Sequence, residues 1–193
     1  GDKRNQMLQL ASGEFVANFD DDNVYAPDYL SLMVEQLRAS GAQTVRLASC
    51  FAWDPFSDKL SWHDEMRGRG ETFVYRKGPT RVLRYDSKDC GEEEAFTAAC
   101  VAHDVDDIFG IFAHVHHGDN LSTLVQSHAK APTGVPVRLA DVPSKRLRAS
   151  LPQRKKAFID RFGRAGPPKR LHHLADMNRA QQELKSKGQA ARR

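Results

Sequence analysis

The sequence lacks any apolar run long enough to cross a membrane as a helix, and its first residues show no charged-then-apolar secretory signal. It also lacks paired cysteines. Cys50, Cys90 and Cys100 lie far apart without a CxxC motif, so neither a disulfide framework nor a thiolate zinc site is indicated. The HExxH signature of another common zinc site is missing too. The three cysteines are therefore expected to be reduced thiols.

A starting methionine is also missing. The chain begins at Gly1 and continues at once with a polar helical pattern, so we expect a fragment that starts inside a domain. Even so, 193 residues with 40% hydrophobic content are enough to bury a core.

Charge divides the sequence into two segments. Residues 1–128 contain 12 Lys and Arg against 21 Asp and Glu, a net charge of −9, whereas residues 129–193 contain 17 against 4, a net charge of +13. We therefore predict two segments with different functions, the second of which is a basic linker and a tail that is helical or disordered. In the second segment, Pro152 is expected to open a helix over residues 152–162, and another helix is predicted over residues 168–187.

The first segment has the alternating periodicity of an α/β fold. Helices are predicted over residues 3–12 and from Pro27 to Gly41, and the core face of the second carries Leu30, Met33, Val34 and Leu37. A third helix is predicted over residues 90–102. Strands are predicted over residues 14–19, 44–53, 59–62, 72–76, 81–85 and 107–115, with 44–53 and 59–62 forming one hairpin and 72–76 and 81–85 another.

Three consecutive aspartates, Asp20, Asp21 and Asp22, follow directly on the first apolar strand; we call them the aspartate triplet. Adjacent carboxylates repel one another, so a cation or hydrogen-bond donors are expected nearby. Ligand sites of open α/β sheets lie at the carboxyl ends of strands, which is where the triplet stands. A solvated turn is the alternative, because Asp is a common turn residue.

Two further polar clusters, GEEEAF at residues 91–96 and HVHHGDNLS at residues 114–122, lie at the edges of apolar elements. Three such clusters suggest one site. Mg²⁺ or Mn²⁺ would relieve the repulsion within the triplet and hold a phosphate, and His117 would complete the ligand set. Alternation along a strand end predicts His114 and His116 on one face and His117 on the other.

Four motifs together resemble the second half of the catalytic domain of family 2 glycosyltransferases. They are KRN…ASGEFVANFDDDN, with an Arg-Asn helix and a strand ending in an Asp-x-Asp motif; APDYL, a proline-started helix; CGEEEAF, similar to a Gly-Glu-Asp motif; and HHGDNLS, similar to a late His-Gly-x-Asn-x-Ser loop. Their order and spacing over roughly residues 3–125 are more specific than any one motif. The resemblance implies a partial GT-A fold, a Rossmann-like mixed α/β sheet over residues 1–128, without its N-terminal nucleotide-binding half.

The same resemblance implies a metal-dependent, inverting transfer of a sugar from a nucleotide-sugar donor to an acceptor hydroxyl. Mn²⁺ or Mg²⁺ is the implied cofactor, and the acceptor is a glycan, a lipid or a protein. Without the nucleotide-binding half, the isolated chain is not expected to have full activity. Family members occur in the cytoplasm and at membranes, so both locations stay open.

The residue roles implied by the resemblance begin with the metal and the base. Asp22 is assigned to the metal, Asp20 to the metal or the donor ribose, and Glu93 to the general base that takes the proton of the acceptor hydroxyl. Glu93 stands where the family usually has Asp, and its neighbours Glu92 and Glu94 leave this assignment open by one residue. Three acids interacting with the dipole of a helix start are the alternative.

Further assignments concern the donor and the acceptor. His117 matches a His that contacts the metal or the diphosphate, and Arg4 and Asn5 match the Arg-Asn pair that supports the diphosphate or the strand before the triplet. A solvent-facing position on a helix is the alternative for that pair. Trp53 and Trp62 border the predicted hairpin and either stack on an acceptor sugar or pack in its core.

Two other functions stay open at this stage. The same Asp and His clusters suit a metal-dependent phosphoesterase or nucleotidyl transferase, and the basic tail suits a non-catalytic binding module. The charge of the tail is compatible with contact with a membrane surface or an acidic acceptor. It has no interleaved aromatic residues, so it gives no clear indication of nucleic-acid binding.

Overall fold

The computed structural model describes residues 1–64, 70–87, 91–117 and 134–162. The helices are α1 (Asp2–Leu10), α2 (Tyr29–Ser40), α3 (Lys77–Thr80), α4 (Glu94–Ala98) and α5 (Lys145–Phe162). The strands are β1 (Phe15–Ala17), β2 (Val24–Tyr25), β3 (Thr44–Leu47), β4 (Cys50–Asp54), β5 (Lys59–His63), β6 (Val74–Arg76), β7 (Ala102–Val105), β8 (Phe112–Val115) and β9 (Val135–Pro136). The predicted helix over residues 168–187 and the part of the late loop from residue 118 onward lie outside the described residues.

Within the described ranges the strands form two mixed sheets. The first has the order β1-β6-β3-β7, in which β3 and β7 are parallel and the other neighbours are antiparallel. The second has the order β2-β8-β4-β5-β9, in which β4 and β8 are parallel and the other neighbours are antiparallel. The predicted mixed α/β class is confirmed, and the architecture is consistent with a partial GT-A fold.

The chain crosses from the first sheet to the second at Ala48 and Ser49, between β3 and β4. The Ala48 N–H donates to the Val105 carbonyl, and the Ser49 hydroxyl accepts from the Asp107 N–H, both at 2.8 Å. The prediction of one strand over residues 44–53 is therefore wrong, because an apolar run does not reveal the point at which the chain leaves one sheet and joins another. The predicted hairpin that follows is confirmed as β4 with β5.

Helix α2 packs on the sheets through a stripe with a spacing of four residues, formed by Tyr29, Met33 and Leu37, which are almost completely buried. The predicted core face is wrong at Leu30, which is exposed because it lies beside this stripe. Gly41 ends the helix with a φ of 67°, a left-handed conformation that glycine adopts without a steric penalty.

The second predicted hairpin does not form. Strand β6 pairs with β1 on one side and with β3 on the other, so residues 81–85 find no free edge there. Instead, the ring of Tyr85 stacks on Phe96 with 4.5 Å between ring centroids. The backbone of Tyr85 also exchanges two hydrogen bonds of 2.9 Å with the side-chain amide of Asn5. These tertiary contacts override the strand propensity of the sequence.

The strand predicted over residues 107–115 is shorter than expected, because Asp107 closes a turn before β8. Its carboxylate accepts hydrogen bonds from the N–H groups of Ile111 (2.8 Å) and Phe112 (3.1 Å), and Gly110 in this turn has a φ of 66°. Burial raises the pKa of Asp107 to about 7, although these donors favour the ionised form.

The raised pKa of Asp107 predicts a pH dependence of stability. Its pKa rises from 3.8 to about 7 on folding, so the folded chain holds this proton more tightly than the unfolded chain. The contribution of Asp107 to the free energy of unfolding therefore falls as the pH rises between these two values, and it is level above the higher one. Urea unfolding at several pH values is expected to show a flatter profile for Asp107→Asn. Asp104→Asn, at an exposed carboxylate, serves as the control, and equal profiles for parent and Asp107→Asn would contradict the prediction.

Helix α5 runs through Pro152, so the prediction that this proline opens the helix is wrong. An internal proline costs about 3 kcal/mol, because a backbone hydrogen bond is lost. Three buried side chains of this helix, Leu147, Leu151 and Phe158, belong to the same core as α2 and the second sheet. Burying each of them contributes roughly 1.5–3 kcal/mol, which outweighs the cost of the proline. The division of the chain at residue 128 stays a prediction.

Two properties of the described residues concern location and redox chemistry. Of the helices in this part of the chain, none combines the length and the apolar character needed to span a bilayer. Cys50 is buried, and Cys100 is a half-buried free thiol, while Cys90 lies outside the described residues.

Candidate active site

Each member of the aspartate triplet has its own basic partner in the fold. Arg4 Nη2 lies 3.1 Å from Asp20 Oδ1, and Arg161 Nη2 lies 2.9 Å from Asp21 Oδ2. His117 Nε2 lies 3.0 Å from Asp22 Oδ2. The partners come from α1, from α5 and from the chain just after β8. The cations or hydrogen-bonding partners expected from the repulsion between the aspartates are thus present, one for each carboxylate.

The loop that carries the triplet is fixed by hydrogen bonds on both sides. The Asp20 N–H donates to the Tyr25 hydroxyl (3.1 Å), which donates to the backbone carbonyl of Glu71 (3.0 Å). The buried side chain of Asn23 accepts a hydrogen bond from the Val115 N–H in β8 (3.0 Å). These bonds tie the loop to the second sheet and hold Asp22 close to the end of β8, where His117 follows.

Glu92, Glu93 and Glu94, which we call the glutamate cluster, lie beside the triplet, because one arginine contacts both groups. Arg4 Nε lies 3.1 Å from Glu92 Oε1, while Nη2 of the same guanidinium contacts Asp20. Burial raises the pKa of Asp20, although the charge of Arg4 lowers it. For Asp21, the hydrogen bond from Arg161 lowers the pKa.

The three glutamates have different surroundings. The carboxylate of Glu92 is engaged by Arg4, and Glu94 is exposed in the first turn of α4. Glu93, at the N-cap of that helix, is half-buried, and its side chain lies against Gly70, where an added Cβ would come within 3.3 Å of Glu93 Cβ. Burial raises the pKa of Glu93 above its usual range. A carboxylate with a raised pKa in a partly closed position suits general-base chemistry.

Comparison with known families identifies the family to which this chain belongs. The family model for glycosyl transferase family 2 matches residues 1–97. The chain belongs to this family. It therefore carries a glycosyltransferase domain, and membership implies a nucleotide-sugar donor and an acceptor. No curated protein matches the chain.

The family 2 match covers Arg4, Asn5, the aspartate triplet and the three glutamates, but it ends before β8 and α5. His117, which the HHGDNLS motif indicated, and Arg161 therefore lie outside the match, and the structure places both beside the triplet. Both polar ends of the Asn5 side chain bind the Tyr85 backbone, so in this structure Asn5 supports the polypeptide around the site.

Whether this glycosyltransferase could hold a divalent cation depends on which side-chain donors lie close together. Among the residues that the structure describes, no group of three or more His, Cys, Asp and Glu side chains is placed to hold a metal ion. Asp22 and His117 nevertheless supply two donors at 3.0 Å from each other. Mg²⁺ sites often use one or two carboxylates and complete the shell with water and substrate phosphates. The pair fits a cation that is shared with a diphosphate, rather than one enclosed by protein.

The structure also places the histidines at the end of β8 and the tryptophans of the hairpin. His114 and His116 lie on one face, with ring centroids 4.9 Å apart, as alternation predicted. His114 Nδ1 is 3.6 Å from Glu71 Oε1, and both side chains are buried. Trp53 is buried against Phe158, which supports the core-packing alternative for this tryptophan. The half-buried Trp62 lines an open cavity of about 470 Å³.

Three residues of the site carried no signal in the sequence. Tyr25 and Glu71 support the loop of the triplet, and Arg161 contacts it from 140 positions further along the chain. Tyr25 and Arg161 belong to no motif that links them to the aspartates. Glu71 contributes a backbone carbonyl, which every residue has, so its side chain gives no signal. Only the fold brings them together.

Proposed function

We propose that this glycosyltransferase is a metal-dependent, inverting enzyme that transfers a sugar from a nucleotide sugar to an acceptor hydroxyl. The observation that carries the proposal is the position of Arg4. Its guanidinium contacts Asp20 of the triplet and Glu92 of the glutamate cluster at 3.1 Å each, so the two motifs lie on either side of one side chain. The donor diphosphate and the acceptor hydroxyl can therefore meet between them.

In the proposed reaction Glu93 acts on the acceptor. Its carboxylate takes the proton of the acceptor hydroxyl while the oxygen forms the bond to the anomeric carbon and the bond to the diphosphate breaks. One displacement of this kind inverts the anomeric configuration. The half-buried position of Glu93, whose pKa is raised by burial, supports this role.

The other residues act on the donor. Asp22 and His117 would hold Mn²⁺ or Mg²⁺, which supplies Lewis-acid stabilisation of the departing nucleoside diphosphate. Asp20, oriented by Arg4, is assigned to the donor ribose or to the metal. Asn5 would act on the donor indirectly, because both polar ends of its side chain fix the segment around Tyr85 beside Arg4.

The test of this proposal is a calorimetric titration of the chain with Mn²⁺, alone and together with uridine or guanosine diphosphate. Asp22→Asn keeps the size of the side chain but removes the charge of one of the two protein donors. We expect the metal-dependent affinity for the diphosphate to fall at least about tenfold, because even the loss of a residue that only hydrogen-bonds to a metal ligand lowers metal affinity about 10–100-fold. Asp104→Asn removes the same charge beside Arg46 in the first sheet and should bind as the parent does.

Equal binding by the parent and Asp22→Asn would contradict the metal assignment. Cleavage of a simple phosphodiester in the absence of any sugar acceptor would contradict the transferase assignment, because it would indicate a phosphoesterase built from the same groups.

A further inference from the structure

Arg161 is the partner of the triplet that lies farthest along the chain, and it lies outside the family 2 match. It lies in the last turn of α5, and Nη2 is 2.9 Å from Asp21 Oδ2. The pair joins residues 140 positions apart in the sequence. Asp21 is the middle aspartate, for which the proposed reaction has no task. The contact therefore places a guanidinium beside the proposed donor site without occupying either Asp20 or Asp22.

The position of Arg161 is set by the packing of the whole helix. Leu151 and Phe158 are buried in the main core, and Phe158 meets Trp53 of β4 edge to face. Lys155 adds an ion pair of 2.8 Å with Asp58 in the turn between β4 and β5. Arg161 follows Phe158 by three residues, so it lies on nearly the same face of the helix. The core contacts thus direct this side chain toward the triplet.

The ion pair with Asp21 is exposed, and this makes it exchangeable. The side chains of Arg161 and Asp21 are 55% and 83% exposed, and pairs of this kind contribute little to stability. A diphosphate offers more negative charge and more acceptor oxygens than one carboxylate, and the planar guanidinium binds phosphate through two parallel hydrogen bonds. A diphosphate beside Asp22 would therefore compete well for Arg161.

We propose that Arg161 is a further donor-binding residue, which moves from Asp21 to the diphosphate of the nucleotide sugar when the donor binds. This inference rests on the proposed function. Before donor binding, Arg161 offsets the charge of Asp21; afterwards it stabilises the negative charge that develops on the leaving nucleoside diphosphate. Helix α5 thereby contributes directly to the active site.

Inorganic pyrophosphate with Mn²⁺ tests this inference without any dependence on the nucleobase. We expect Arg161→Gln to weaken binding of the pyrophosphate about tenfold or more, since hydrogen bonds to charged groups are involved. Arg161→Lys keeps the positive charge but loses the two parallel N–H donors of the guanidinium, so its pyrophosphate affinity should lie between those of the parent and Arg161→Gln. Lys156→Gln removes a positive charge from the exposed side of the same helix, and its binding should stay within about twofold of the parent, because exposed charges at a distance are screened.

A second set of variants separates ligand binding from a structural role. Asp21→Asn removes the competitor for Arg161, so it should tighten pyrophosphate binding in the parent. The gain should be smaller in an Arg161→Gln background, and this coupling in a double-mutant cycle would not arise from a purely structural contact. Circular dichroism of each variant confirms that it is folded.

The outcomes distinguish this inference from the proposed function. If binding is lost in Asp22→Asn while Arg161→Gln binds as Lys156→Gln does, the role of Arg161 is overturned and the metal site stands. Equal gains from Asp21→Asn in both backgrounds would also overturn it. If the folded parent binds no pyrophosphate with Mn²⁺, both proposals fail.

Discussion

Glu93→Gln should lower the rate of sugar transfer about 10²–10⁴-fold, the range for loss of a general base. The amide has nearly the shape of the carboxylate but cannot accept the proton of the acceptor hydroxyl at neutral pH. Affinity for the nucleoside diphosphate should stay close to that of the parent, because Asp22, His117 and Arg161 are unchanged. The rate is measured as nucleoside diphosphate released in the presence of donor and acceptor, with parent and variant side by side.

The neighbouring glutamates provide matched controls. Glu94→Gln changes the same charge at an exposed position of α4 and should stay near the parent rate. A large loss in Glu94→Gln or Glu92→Gln, with normal activity in Glu93→Gln, would move the base by one residue. The pH profile gives a second readout. Burial raises the pKa of Glu93, so the parent rate should fall on acidification at a pH above the usual range for glutamate, and this decline should disappear in Glu93→Gln.

Leu151→Ala should lower the free energy of unfolding by about 2–5 kcal/mol, the range for truncating a buried leucine. Leu151 is 1% exposed and belongs to the same core cluster as Met33 of α2 and Phe112 of β8. The loss should therefore shift the unfolding of the whole described core. Urea unfolding followed by circular dichroism and by tryptophan fluorescence measures it, because Trp53 lies next to Phe158 of α5.

Ile159→Ala removes a partly exposed apolar side chain from the same helix and should cost much less. Two separate transitions by the two probes, with only one of them shifted by Leu151→Ala, would contradict a shared core. That result would favour the division of the chain at residue 128 that its charge distribution predicts.

Local signals in the sequence predicted the elements that depend on local chemistry. The helix ending at Gly41 is predicted because glycine readily adopts the left-handed conformation that ends a helix. The β4–β5 hairpin is predicted because a turn separates two alternating runs. Alternation also predicted that His114 and His116 share one face, and their rings lie 4.9 Å apart. The acidic motifs were found in the same way, since each is a short run at the end of an element.

Features that depend on distant partners were predicted wrongly or not at all. Residues 81–85 have the composition of a strand, but β1 and β3 occupy both edges of β6. Pro152 is typical of a helix start, yet α5 continues through it because buried side chains anchor the helix before it, at Leu147 and Leu151, and after it, at Phe158. Arg161 is one of many basic residues in its segment, and only the packing of α5 distinguishes it. In each case the deciding contact lies far away in the sequence.

The three basic partners of the aspartate triplet lie 16, 140 and 95 residues away along the chain for Asp20, Asp21 and Asp22, respectively. Two of these contacts close very long loops, and the entropy of closing them must be overcome before the contact contributes anything. The triplet thus acquires its full set of partners only when α1, β8 and α5 have all docked. A partly folded chain in which α5 or the end of β8 has not docked has the acidic loop without all of its partners, so we expect the proposed donor site to be completed late in folding.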